Sequence, residues 1–291
     1  MKQTLDIINR ALAEHSPGYI AFSGGTDSTV LVDLVYTQTA HRPPLLYCDA
    51  QNDYPGTLEH VRSVAAHYGA KVHTIRSTTP LIRQWTRRGW PMLGKLAGRQ
   101  WMQRNPGLGI RLDNSACCDA MKTRPSRRYA AAQGWRCALT GMRGAEDDRL
   151  RRMRSLLDGA ISYHREARCW TANPLTGWTA CMINRYRKAH RLIEHPARAA
   201  GAVTIGCIWC GGGAQFDASC YRILRRTNLD LWRRFVVDLR GGEIILSVKH
   251  RAHLQTVRVA LDRLGGLARV ASERPWVFDF LQMPPRRNYD R

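Results

Sequence analysis

Residues 18–38 read GYIAFSGGTDSTVLVDLVYTQ. A short β-type run, GYIAFS, passes through two glycines into DSTVLVDLVYTQ, whose apolar spacing is that of a helix. Glycines let the backbone turn sharply and aim N–H groups at an anion, and the start of the helix adds its dipole. The hydroxyls of Ser23 and Ser28 are expected to donate further hydrogen bonds. Ser23, Gly24, Gly25, Thr26, Asp27 and Ser28 therefore form a candidate pyrophosphate cradle. A lone Gly pair would read as an ordinary strand-to-helix turn, but the full string in this context argues for phosphate binding. Asp27 is a candidate magnesium ligand, the alternative being that it caps the helix it opens.

The same alternation extends in both directions from the loop. Leu5 to Glu14 reads as a helix, PLLYCD (44–49) as a strand, TLEHVRSVAAHYG (57–69) as a helix and KVHTI (71–75) as a third strand. Residues 89–115, with scattered Gly, Pro and Arg, read as a long excursion over one end of the sheet. DAMKTRPSRRYAAAQG (119–134) is expected to be helical on either side of Pro125, and WRCALTG (135–141) to be a fourth strand. The fold class is α/β, a doubly wound parallel sheet with crossover helices, ending near residue 175. Beyond Pro174 come helix-like stretches at 178–195, 218–239 and 243–265, interrupted by IGCIWCGGG (205–213). The expected division is a nucleotide-binding domain over 1–175 and a C-terminal helical subdomain over 176–291. No linker marks the boundary.

No run among the 291 residues approaches eighteen consecutive apolar positions, and the start, MKQTLDIINRALAEH, has no signal-peptide core. Nine Trp, ten Tyr and regular apolar runs go with folding. A cytoplasmic protein without a membrane partner is expected. The formal net charge is +22, and six of the 45 basic residues are Lys, so the excess is carried by Arg. That charge attracts polyanions, with nucleic acid (tRNA or DNA) the first candidate partner. Arg richness alone also follows from genome base composition. Candidate docking groups are Arg185, Arg187, Lys188 and Arg191 and the pairs Arg225/Arg226 and Arg233/Arg234, with Trp232 as a stacking face.

Nine cysteines in an intracellular chain are not a disulfide framework. Cys117 and Cys118 are adjacent, and Cys207 and Cys210 form a CxxC. Four thiolates satisfy zinc or an iron–sulfur cluster. Adjacent cysteines point in different directions, which is awkward on one tetrahedral zinc but suits two irons of a cubane, so a [4Fe-4S] cluster is favoured. Cys48, Cys137 and Cys169 read as small buried hydrophobes. Lys122, Arg124 and Arg143 are candidate ligands for a substrate phosphate or sulfate, Arg143 because it follows the glycine that ends the fourth strand. Glu146 is placed to orient Arg143. Arg149, Arg151, Arg152 and Arg154 read as solvated charges.

Several motifs agree in order with one family. SGGTDS resembles the loop of the PP-loop group. CDAQNDYPGT resembles an Asp-Thr-Gly followed by an aromatic-Pro-Glu-Thr stretch, with Asp49, Tyr54, Pro55 and Thr57 retained. CCDAMKTRP, TGMRGAEDDR and NPLTGWTACMINRY resemble the paired cysteines, the Gly-x-Arg with its acidic segment, and the Pro-Leu-x-x-Trp-Thr stretch of phosphoadenosine phosphosulfate (PAPS) reductases. The resemblance covers nearly all of residues 18–215. It implies a sheet of the adenine-nucleotide α-hydrolase-like type, Asp49 as a nucleotide-binding residue, and ATP with Mg2+ split to AMP and pyrophosphate, with Asp27 and Arg143 as catalytic candidates. Two departures matter. Reductases carry a nucleophilic cysteine near the C-terminus, whereas residues 221–291 contain none, and reductases often have an eroded phosphate loop. Three readings follow: an ATP-using sulfur-transfer or related enzyme modifying nucleic acid, served by a sulfur donor or reductant protein; a sulfonucleotide reductase with a displaced nucleophile, Cys220 or Cys181; and a non-catalytic, cluster-stabilised nucleic-acid-binding protein.

Overall fold

The computed structural model describes residues 1–88, 95–108, 114–144, 159–165, 167–202, 205–210 and 219–279. The chain forms two compact units: residues 1–50, 55–78 and 121–196, and residues 51–54, 79–120 and 197–291.

The first unit is built on a six-stranded sheet: β1 (Gly18–Ala21), β2 (Leu45–Asp49), β3 (Val72–Arg76), β4 (Cys137–Thr140), β5 (Ile161–His164) and β6 (Cys169–Ala172). The spatial order is β3-β2-β1-β4-β6-β5. Every neighbouring pair is parallel except β5 with β6. The chain moves outward from β1 to β3 and then returns to the other flank of β1 as β4. Beyond the carboxyl ends of β1 and β4 lies the switch point where open α/β sheets bind ligands. Strands β5 and β6 lie inside the expected limit of the sheet but were not foreseen as strands. Four residues each and mostly half-exposed, they carry too little alternation to be read.

Helices α1 (Lys2–Glu14), α2 (Thr26–Gln38) and α3 (Thr57–His67) belong to this unit. Helix α2 is buried from Ser28 to Tyr36, so its apolar residues are covered on all sides. Its buried carboxylate, Asp33, accepts hydrogen bonds from the hydroxyls of Tyr68 at 2.8 Å and Tyr186 at 2.6 Å. A carboxylate buried without donors would be strongly destabilising. Tyr186 lies on the helix Ala180–Ala189, which thereby belongs with the sheet. The structure thus differs from the expected boundary between 175 and 176, because packing on α2 holds residues 176–196 in the first unit.

The second unit is helical and drawn from separate parts of the chain. Helices α4 (Leu81–Arg88), α5 (Lys95–Arg104) and α6 (Asn114–Cys118) join the helices Ser219–Thr227, Leu229–Arg233, Gly241–Lys249, Leu254–Arg263 and Leu267–Glu273. The stretch read as an excursion over the sheet therefore contributes helices to this unit. Trp101 explains why: it is fully buried and donates from Nε1 to Ser247 Oγ at 3.0 Å, while Asn105 Oδ1 accepts from the Leu254 N–H at 2.7 Å. The stretch 218–239 breaks at Asn228, whose side chain caps the next helix by accepting from the Leu231 N–H at 3.1 Å. Among the described residues no helix is long and apolar enough to cross a membrane.

Candidate functional site

The phosphate loop joins β1 to α2. Gly24 has φ +74°, a conformation that favours glycine, and Gly25 is the extended residue that precedes the helix. The Gly25 N–H donates to Ser23 Oγ at 3.3 Å, Ser28 Oγ donates to the Gly25 carbonyl at 2.9 Å, and the two serine hydroxyls are 3.2 Å apart. Both hydroxyls therefore brace the loop, a different task from the outward donation expected of them. The donors aimed outward are the N–H groups that begin α2, which have no carbonyl to meet within the helix.

Gly141, read from sequence only as the end of a strand, proves essential to this geometry. A Cβ there would lie 2.9 Å from Ser28 N and 3.0 Å from the Asp27 carbonyl carbon, so the end of β4 presses directly on the loop backbone. The following turn is pinned by the Thr140 hydroxyl to Asn173 Oδ1 at 2.5 Å and by the Gly144 N–H to the Thr176 carbonyl at 2.8 Å. It carries Arg143, whose Nε donates to Asp27 Oδ2 at 3.0 Å. The two catalytic candidates thus meet. Glu146, expected to orient Arg143, lies outside the described residues, as do Arg149, Arg151, Arg152 and Arg154.

A second polar group forms at the ends of β2 and β3. Asp49 and Arg76 are register partners, and Arg76 donates through Nε at 2.8 Å and through Nη2 to Asp49 Oδ2. Next to Asp49, the Cys48 thiol donates to the Met121 carbonyl at 3.3 Å. Pro125 has no N–H to offer that carbonyl, and a π-type turn, Asp119–Thr123, precedes helix α7 (Arg124–Ala132). Lys122 sits on the turn and Arg124 opens the helix, both half-buried. The Cys48 contact ties this basic turn to the end of β2.

Behind the loop lies a group that sequence reasoning missed. His60 and His195 are 5% and 2% exposed, their rings 5.1 Å apart and edge-on, and His195 Nε2 is 2.9 Å from Thr57 Oγ1. Burial lowers the His60 pKa below its ordinary value, opposed by a hydrogen bond to the Gly24 backbone. Both rings line a cavity of about 220 Å³ with Gly24, Thr26, Thr29, Arg187, Ile193 and Glu194. The only sequence signal was the retained Thr57, and no spacing links His60 to His195.

The cysteine pairs both belong to the second unit. Cys117 is buried and accepts a hydrogen bond from Trp85 Nε1 at 3.4 Å, whereas its helical neighbour Cys118 is exposed. Cys207 bridges to Asp53, the Ile208 N–H donates to the Asn52 carbonyl at 2.8 Å, and the Cys210 N–H turns back to the Cys207 carbonyl at 3.2 Å. Trp85 and Trp209 pack with ring centroids 6.0 Å apart, which links the two pairs through one aromatic layer. Their chemistry suits iron–sulfur ligation. Among the described residues, however, no three His, Cys, Asp or Glu converge as a metal-holding group. Burial pushes the Cys137 thiol up to about 12 and raises that of Cys169, in keeping with small core residues.

The phosphoadenosine phosphosulfate reductase domain matches residues 18–212, about two thirds of the chain and the whole of the phosphate-loop sheet. The chain belongs to that family. A relative in Mesorhizobium japonicum (strain LMG 29417 / CECT 9101 / MAFF 303099), named Adenosine 5'-phosphosulfate reductase, is 26% identical over 210 residues, 71% of each protein. The crystal structure of phosphoadenylyl-sulfate (PAPS) reductase from Candida auris, a phosphate complex, is similar with a TM-score of 0.51 and 18% identity, over 70% of this chain and 87% of that one. The family is one of enzymes.

Two basic surfaces accompany the PAPS reductase-family fold. In the first unit Arg185, Lys188 and Arg191 are exposed, whereas Arg187 is half-buried and donates to Glu194 at 2.8 Å. In the second unit Arg226, Arg233 and Arg234 are exposed, but Arg225 is ion-paired with Asp279 at 3.5 Å. Trp232 is 1% exposed and packs against Phe278. It offers no stacking face, contrary to expectation, because its side of the helix is the apolar one.

Proposed function

We propose that this enzyme binds ATP with Mg2+ at the SGGTDS loop and splits it between the α- and β-phosphates to activate an oxygen of a nucleic acid, tRNA or DNA. The acceptor oxygen attacks the α-phosphorus, the bond to the β-phosphate breaks, and pyrophosphate leaves with magnesium. A sulfur nucleophile from a donor protein then displaces AMP. In this reading Asp27 holds the magnesium, Arg143 turns to the anion, and Lys122 and Arg124 neutralise acceptor phosphates. The observation that carries it is the complete loop, braced by its own serines and backed by Gly141. A [4Fe-4S] cluster on Cys117, Cys118, Cys207 and Cys210 belongs to the same reading and would supply a redox-active centre.

One observation favours a second reading, sulfonucleotide reduction: the relative named Adenosine 5'-phosphosulfate reductase. The nucleophile would then fall to Cys220 or to Cys181, which is exposed. Anaerobically purified protein incubated with ATP separates the two. Pyrophosphate release stimulated by tRNA or DNA supports ATP chemistry; sulfite formed from a sulfonucleotide, with no ATP cleavage, supports reduction.

A further inference from the structure

The cavity behind the phosphate loop contains an arginine whose hydrogen bonding is incomplete. Arg187 reaches it from the helix Ala180–Ala189, and its Nη1 is held by Glu194 at 2.8 Å. Its Nε is buried and has no hydrogen-bond partner among the described residues. A buried guanidinium N–H is a donor in want of an acceptor. The same cavity is lined by Gly24 and Thr26, the turn of the loop and the first residue of α2, where the helix dipole attracts anions. At about 220 Å³ it falls below the roughly 300–1,000 Å³ of pockets that enclose a whole drug-sized ligand. It suits phosphate groups and excludes a nucleoside.

We propose that this cavity seats the terminal phosphates of ATP, with Arg187 Nε as their ligand and Glu194 as the residue that orients the guanidinium. The inference rests on the ATP reading and adds the seat of its leaving group. As the α–β bond breaks, negative charge gathers on pyrophosphate, and a fixed N–H donor facing it stabilises that charge. His60 supports the arrangement from below through its hydrogen bond to the Gly24 backbone. A sulfonucleotide carries no β- and γ-phosphates to place here, so the cavity also separates ATP from that class of substrate.

Calorimetry of the full chain with ATP, inorganic pyrophosphate and AMP tests this. Arg187→Gln is expected to weaken ATP and pyrophosphate about tenfold or more, the loss of one charge-assisted hydrogen bond, and to leave AMP unchanged. Arg187→Lys keeps the stem and charge without Nε–H, gives an intermediate loss, and serves if the Gln variant does not fold. Unchanged ATP affinity in the Arg187 variants, or equal losses for AMP and pyrophosphate, would overturn the assignment of the cavity while leaving ATP binding at the loop intact. If the unaltered chain binds neither ATP nor pyrophosphate, the ATP reading falls and the cavity assignment with it.

Discussion

Arg143 Nε donates to Asp27 Oδ2 at 3.0 Å across 116 residues of sequence, tying the turn after β4 to the first turn of α2. The sheet order makes this possible, since β1 and β4 are neighbours and their carboxyl ends present both residues at the switch point. A partly exposed pair of this kind adds about 1 kcal/mol or less to stability. Its value lies in orientation. Each partner holds the other where magnesium and an anion are expected to arrive.

Asp27→Asn is therefore expected to lower the rate of pyrophosphate release by about tenfold or more while changing ATP affinity much less, the mark of a group acting on the reaction step. Rates and calorimetry across a magnesium series check this. A variant with wild-type turnover would remove Asp27 from the chemistry.

Gly141→Ala places a methyl group within 3.0 Å of backbone that cannot move independently of the loop. Overpacking of this sort costs about 1–3 kcal/mol, so the melting temperature falls by several degrees and nucleotide binding weakens. Gly134→Ala is the control for a loop glycine with open space, although its φ of +67° brings some strain of its own. Equal ATP affinities in the Gly141 variant and the unaltered protein would show that β4 does not shape the loop.

His60 links stability to pH. Its folded pKa is below the unfolded value of about 6.5, so under acid the unfolded chain takes up the proton first. The stabilisation from neutral His60 is present above about pH 6.5 and is lost as pH falls through the folded pKa. Melting curves between about pH 7 and 5 should fall less steeply for His60→Gln than for wild type. His195, Arg187 and Glu194 line the same cavity and remain in both proteins, so the difference isolates His60. Parallel curves would contradict the assignment.

Anaerobic purification is expected to give brown protein with about four irons per chain. Serine at Cys117, Cys118, Cys207 or Cys210 should bleach it, and Cys137→Ser should not. Stoichiometric zinc without iron, by metal analysis, rejects the cluster.

Nucleic-acid affinity should fall steeply with salt, by roughly 0.9 in logarithmic slope per duplex phosphate neutralised. Arg233→Glu with Arg234→Glu lowers that slope without altering ATP affinity, because both are exposed on the helical unit. Arg225 is unsuitable for this purpose, being held by Asp279. No detectable tRNA or DNA binding at low salt would end the nucleic-acid reading and favour the reductase.

The residues that announce themselves are those whose function is carried by local backbone. SGGTDS between a strand and a helix places the phosphate loop, because a tight turn, a helix start and its hydroxyls all lie within six residues. The first four strands were legible for the same reason, each an apolar run flanked by a helical period. Pro125 was read as an interruption, and the structure has a π-type turn ahead of it.

What only the tertiary structure decided are the meetings between distant residues. Asp27 finds Arg143, Gly141 admits Ser28, and His60 faces His195, each through packing of elements whose separation no sequence period encodes. Burial reassigned others. Trp232 and Trp101 look like surface aromatics among arginines, yet a helix in a packed unit turns one face inward and takes its large side chains there, and the charge of its neighbours gives no sign of which face that is.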